Sequence, residues 1–162
     1  MIAGKLQDLK ERLRPGQRLL GLDLGEKTIG LALTDTGLVI ASPLETIRRT
    51  RFTADAKQLA AIVARHGIGG LVIGLPVNMD GSEGPRCQSV RQFARNLAQM
   101  LPDLPMAFWD ERLSTAAVNR MLIDEADATR RRRAELVDKL AASYILQGAL
   151  DHLRLNPGPA AR

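Results

Sequence analysis

Residues 18–24 read RLLGLDL, an apolar run that holds a single acid, Asp23. A stretch with so little polarity is the pattern of a strand covered on both faces. Gly25 to Lys27 make a turn, and residues 29–34 (IGLALT) read as a second strand. Asp35-Thr36-Gly37 is a hairpin signal leading to a third strand over residues 38–42. After Pro43 the period changes: Leu59, Ile62, Val63 and His66 mark a helix over residues 53–66, stopped by Gly67. Residues 70–75 (GLVIGL) form another buried strand, and PVNMDGSEG is a loop dense in turn formers. A helix is expected over residues 85–101 and a fifth strand over 105–109; further helices are expected over 114–123, with Ser114 as N-cap, and over 134–153. The order β-β-β-α-β-α-β-α-α predicts an α/β fold, a mixed five-stranded sheet with helices on both faces. Leu6, Leu9 and Leu13 share a helical stripe ended by Pro15-Gly16. Residues 1–17 are therefore read as an N-terminal helical extension, 18–154 as the domain and 155–162 as a disordered tail.

The composition restricts what such a domain does. With 162 residues, 45% of them hydrophobic, one domain with its own core is the expectation. Aromatics are only 3%, which argues for an aliphatic core and against a platform for stacking single-stranded bases. The one cysteine, Cys87, excludes an internal disulfide and a zinc site built on several cysteines. The net charge is +5, and 18 of the 23 basic residues are Arg, the residue suited to bidentate phosphate contacts. A genome that favours Arg codons accounts for the same excess. No stretch reaches the roughly 18–20 apolar residues of a membrane span, and the first residues lack the apolar segment of a secretory signal, so a cytoplasmic protein is expected.

Three acids stand where acids are costly. Asp23 lies inside an apolar strand, and an unpaired carboxylate there costs several kcal/mol; it needs a hydrogen-bond donor, a cationic side chain or a metal. Asp138 shares a helical face with Ala134, Ala141, Ala142 and Ile145, whereas Arg132, Glu135 and Lys139 occupy the opposite one. The small residues would let that helix approach the sheet closely. Asp110-Glu111 ends the fifth strand, at the rim where α/β folds collect functional groups. Each acid alone is open to a structural role as a turn cap, an ion-pair partner or a solvated charge. Gathered together, they would repel one another unless cations intervened. Carboxylate oxygens are what Mg²⁺ or Mn²⁺ prefer, and paired ions of this kind hydrolyse phosphodiesters. His66 and His152 are the only histidines, at a helix end and near the tail. They offer no evident general base, nor a partner for Cys87, although its place at a helix start would lower a thiol pKa.

Four segments, LDLGEKTIGLAL (residues 22–33), GLPVNMDG (74–81), DERLST (110–115) and VDKLAASYILQ (137–147), resemble the signature blocks of the YqgF/RuvX family. Its members are described as Holliday junction resolvases and as pre-16S rRNA nucleases. The resemblance covers residues 18–153 and implies an RNase H-like fold. It also implies that Asp23, Glu111 and Asp138 form an acidic triad that is both catalytic and metal-holding, with Asp110 the weaker of its pair. Implied with it are Mg²⁺ or Mn²⁺ as cofactor and a nucleic acid as partner, pre-rRNA before branched DNA. A homodimer is the symmetric form a junction resolvase would take. Within the matched blocks, Asn78 and the turn amides either hold a phosphate or build a turn, and Arg112 either clamps a phosphate or pairs with Asp110. Lys27 and the run Arg130, Arg131, Arg132 and Arg133 are placed to grip a nucleic-acid backbone; the run also reads as a solvated loop. Two rivals remain at this stage. One is a binding module that keeps the acids without cutting; the other is an ATP-binding protein, because Asp23-Leu24-Gly25 through Gly30 resembles the first phosphate loop of actin-like ATPases. Glu26 adds an acid beside the first block with no assigned role.

Overall fold

A computed structural model describes residues 1–113 and 130–156, with the backbone alone over residues 130–137. The strands are β1 (Arg18–Leu24), β2 (Thr28–Thr34), β3 (Ala41–Arg48), β4 (Ile68–Leu75) and β5 (Met106–Asp110). The helices are α1 (Leu6–Glu11), α2 (Phe52–His66), α3 (Pro85–Met100) and α4 (Arg130–Leu155). The five strands form one sheet in the order β3-β2-β1-β4-β5. β1 is central, antiparallel to β2 and parallel to β4, so its unbroken apolar run is met by neighbours on both sides. The mixed sheet with helices on both faces is the architecture that the element order predicts, and it matches the RNase H-like fold that the resemblance implies.

Alternation along the strands sorts the core into two layers. Leu20, Leu22 and Leu24 of β1 join Ile29, Leu31, Leu71 and Ile73 beneath α2 and α3, against Leu59, Val90, Phe93 and Leu97. Leu19 joins Ala32, Val72, Ala107 and Trp109 on the other face, beneath Ala142, Ile145, Leu146 and Ala149 of α4. This second face is built from small residues. A β-carbon on Gly21 would stand 2.8 Å from Leu146 Cβ. Glycines below and alanines above thus let α4 lie close to the sheet, as the helical face around Asp138 predicts.

The third strand departs from the expectation. It lies not over residues 38–42 but at Ala41–Arg48, and residues 35–40 form the connecting loop. Asp35 Oδ1 accepts the N–H groups of Val39 and Ile40 at 2.8 and 3.0 Å, and Leu38 takes a left-handed φ of 56°. These local bonds extend the turn by several residues. Pro43 sits inside the strand, opposite Ala32 at a register shift. It is tolerated because β3 is an edge strand, where a missing N–H breaks no ladder on the outer side.

The last helix also extends further back than its apolar period suggests, already including Arg130 where residue 134 was expected as its start. Arg130, Arg131, Arg132 and Arg133 are therefore part of the helix and not a loop before it. Arg is a good helix former, and an apolar period is blind to a polar turn. The helix expected over residues 114–123 lies outside the described residues, as do residues 157–162 of the tail; Leu155 and Asn156 finish the end of α4, where the Asn156 N–H donates to His152 O.

At the chain start, Met106 N–H donates to Met1 O and Ala3 N–H to Met106 O, which lays residues 1–3 along β5. α1 then buries Leu6 and Leu9 in the layer beneath α4. Among the described residues no helix is long and apolar enough to cross a membrane.

Candidate active site

Asp23 is 7% exposed and shares the alternation of Leu19 and Gly21, so its side chain lies on the α4 face. Its cross-strand partner in β2 is Gly30. One step beyond the Leu22–Ile73 pair, its neighbour in β4 is Gly74, which in turn pairs with Trp109 of β5. Asp23 thus stands between two glycines in one row across the sheet. Both glycines are roofed by the other acids. A β-carbon on Gly30 would overlap the carbonyl oxygen of Asp138 and lie 3.0 Å from the Lys139 nitrogen. One on Gly74 would stand 2.8 Å from Glu111 Oε1 and 2.6 Å from Ile145 Cδ1. Two strand spacings separate the backbones of the glycines, about 10 Å, and the Asp138 backbone and Glu111 lie over them, leaving Asp23 in the groove between.

The same register separates Asp110 from Glu111. Asp110 pairs with Leu75, whose side chain belongs to the α2/α3 layer, so it points away from the groove. Glu111, two residues after Trp109, comes back to the α4 face. Asp110 instead takes a fork of bonds from Arg112, with Nη2 at 2.6 Å from Oδ2 and Nε at 3.1 Å from Oδ1, and Arg112 N–H donates to Oδ1 at 3.0 Å. Of the two roles open to Arg112, the structure thus shows the pairing one. Its bonds hold the Asp110 carboxyl below the usual carboxylate range. A depressed folded-state pKa means that stability is present in full above the unfolded value near ~3.9 and is lost as pH falls through the folded one. Urea unfolding should therefore separate the native protein from Arg112→Ala at neutral pH, with the two converging in strong acid.

The acids do not form a ready-made cage. Among the described residues no three His, Cys, Asp or Glu side chains converge closely enough to hold one ion. Asp138 Oδ2 instead accepts the hydroxyl of Thr28, at the start of β2. Thr28 gave no signal in the sequence beyond its place in the first turn. The two glycines did carry one, since glycine inside a strand marks close approach of another group.

The remaining expected residues are less concentrated. Asn78 belongs to a self-contained turn: its N–H donates to Ser82 O, its carbonyl accepts from Gly81 N–H, and Nδ2 lies 3.1 Å from Ser82 Oγ. The structural alternative accounts for all these contacts. Ser82 also caps Asp80 through its hydroxyl and N–H, which keeps the Asp80 carboxyl low. Arg112 Nη1 reaches Met79 O at 3.4 Å, tying this loop to the end of β5. Lys27 is exposed in the β1–β2 turn. The side chains of Arg130, Arg131, Arg132 and Arg133 lie outside the described residues. Cys87 is buried, and burial pushes its thiol pKa up, outweighing any lowering at the helix start. His152 packs edge-on against Trp109 at 5.6 Å.

Comparison with known proteins places the chain in a family and supports its fold. The family described as "RuvX: Holliday junction resolvase" matches residues 17–152. A protein of Paramagnetospirillum magneticum named "Putative pre-16S rRNA nuclease" is 66% identical over 90% of this chain and 92% of its own length. A protein of Phenylobacterium zucineum with the same name is 62% identical, over 92% of this chain and 96% of its own. Among solved structures, T. thermophilus RuvC in complex with a Holliday junction substrate superimposes with a TM-score of 0.54 at 12% identity, covering 86% of this chain and 96% of that one. A second Thermus thermophilus RuvC structure gives 0.52 at 14% identity, over 86% and 97%. At these identities the likeness is one of fold.

Proposed function

This chain belongs to the RuvX family, and from that premise we propose that it is a divalent-metal nuclease that matures the 5′ end of pre-16S rRNA, using Asp23, Glu111 and Asp138. The observation that carries the reading is the row Gly30–Asp23–Gly74, with the Asp138 backbone over one glycine and the Glu111 carboxylate over the other. Side chains other than glycine would fill the groove on either side of Asp23. Its donors are all hard carboxylate oxygens, the set that suits Mg²⁺ or Mn²⁺ and neither a soft nor a zinc-type ion. Such ions, held by these three residues, would supply Lewis-acid stabilisation of the charge that develops on a phosphodiester.

The protein's own contribution is positional. Asp23 is fixed by a central strand, Glu111 by the end of β5, and Asp138 by a helix seated on glycine. Release of Asp138 Oδ2 from Thr28 would let that carboxylate turn toward Asp23, on the side away from Glu111. Lys27 and the arginines at the start of α4 would bind flanking phosphates, which makes affinity strongly salt-dependent.

A labelled precursor spanning the 5′ boundary of 16S rRNA, incubated with Mn²⁺, tests the reading. The native protein should release the mature end, and Glu111→Gln should not. Equal cutting by both would assign the activity to a contaminant, and binding without cutting by either would leave a binding module. The family description favours a second substrate, a four-way DNA junction. Cutting of the junction alone, by a symmetric dimer, would transfer the proposal to branched DNA.

A further inference from the structure

On the face of β1 opposite the acids, at the same end of the strand, a second pocket of about 230 Å³ opens between β1 and α3. Its floor is apolar and nearly sealed, made by Leu24, Val90 and Phe93. One wall is the Arg49 guanidinium, held in place by a 2.6 Å bond from Nη1 to Gly25 O and by a position 5.4 Å over the Phe93 ring. Arg86 lines the opposite side, exposed in the first turn of α3. Glu26 and Ser89 stand at the rim, both exposed. Nothing in the proposed hydrolysis uses this pocket.

Its chemistry is selective. An apolar floor beside a fixed planar cation suits a flat aromatic ring, because guanidinium planes and apolar walls both sandwich bases. Below the ~300 Å³ at which pockets for drug-sized ligands begin, there is room for one ring system. The carboxylate at the mouth only accepts hydrogen bonds, so the ring it favours carries N–H donors along one edge. Arg86 provides positive charge for the phosphate beside it. Gly25 lies two residues past Asp23, about 7 Å along the strand, at the end of β1, so a nucleic-acid strand that rounds this end of the sheet would place one nucleotide here and a neighbouring one over the acids.

We propose that this pocket takes one unstacked guanine of the substrate strand, its N1–H and N2–H₂ edge turned to Glu26, next to the phosphodiester that is cut. The inference rests on the nuclease reading for its substrate and adds that the strand is unpaired at this point. It also gives Glu26 a function that the sequence left open.

Binding measured without cutting tests it. In EDTA, fluorescence anisotropy of the full chain is compared on a twelve-nucleotide oligouridine, the same strand with one central guanine, and that strand with an abasic site in place of the guanine. The guanine strand should bind roughly tenfold tighter than the abasic one, the scale of one stacked base, and the same sequence in a duplex should lose that advantage. Ser89→Trp, which fills the pocket from an exposed helical position, should abolish the difference, whereas Ser89→Ala should keep it. Glu26→Gln should make guanine and uridine equivalent. Equal affinity for guanine and abasic strands, or an undiminished preference in Ser89→Trp that unfolds at the native temperature, would overturn the proposal. Because no metal is present, a guanine preference in a protein that cuts nothing would sink the nuclease reading alone, and cutting without the preference would sink this one alone.

Discussion

Asp23→Asn should stop cleavage while leaving the fold at least as stable as before. The carboxylate is almost fully buried on the central strand, with the Asp138 backbone and Glu111 lying over the glycines of the flanking strands. Asparagine has nearly the same shape, so packing against Gly30 and Gly74 is preserved. What changes is charge. The variant loses one of the three negative charges that the proposed site would bring together, and relief of that repulsion is expected to raise stability by about 1 kcal/mol, or ~2–4 °C in Tm. Activity moves the other way. Lewis-acid stabilisation is worth several kcal/mol, so losing the central ligand should lower kcat by about a hundredfold or more. Thermal unfolding in a Mn²⁺ titration links the two effects. An ion that binds only the folded state stabilises it by ~2.7 kcal/mol at a hundredfold excess over Kd, and that rise in Tm should appear for the native protein and vanish for Asp23→Asn. A metal-dependent rise of equal size in both would place the ion elsewhere.

How much of this was legible depends on which interactions carry each element. β1 could be read directly because a run of six buried residues leaves few alternatives, and its position at the centre of the sheet follows from the same fact. Asp138 was readable from helical period, since Ala141, Ala142 and Ile145 fix the buried face. The turn at Asp35-Thr36-Gly37 was read correctly, but residues 38–40 were misread as strand because Asp35 side-chain bonds, and not propensity, decide where the loop ends. Pro43 was taken as the end of strand structure because edge position is a property of the whole sheet. The choice of Glu111 over Asp110 came only through resemblance; its physical basis is the pairing of Leu75 with Asp110, which no local pattern encodes. Gly30 and Gly74 signal a close approach by being glycines inside strands, but the groups that approach lie more than a hundred and about forty positions away in the chain. The pocket beside Arg49 was invisible for a further reason: its wall depends on a bond between a β3-end side chain and the carbonyl after β1.

Gly30→Ala should be the most damaging single methyl group that can be added to this sheet. The new β-carbon would overlap a backbone carbonyl, that of Asp138, and the Lys139 nitrogen would be 3.0 Å away. No side-chain rotation relieves such a clash, so α4 must lift from β2 or β2 must bend. Overpacking of this kind costs ~1–3 kcal/mol where side chains can adjust, and a backbone obstacle belongs at or above the upper end, a fall in Tm of about 6–12 °C. Cutting should fall further than stability, because a displacement of ~1 Å in a reacting constellation costs on the order of 10²-fold. Gly74→Ala provides the contrast. Its new carbon would meet Ile145 Cδ1 at 2.6 Å and Glu111 Oε1 at 2.8 Å, both ends of side chains that can turn aside. That variant should keep most of its Tm and still lose activity, because the group that turns aside is the carboxylate over the groove. Gly4→Ala, with open space around it, should alter neither quantity. If Gly30→Ala unfolded at the native temperature, α4 could not be seated on β2 as described, and the grouping of Asp138 with Asp23 would fall with it.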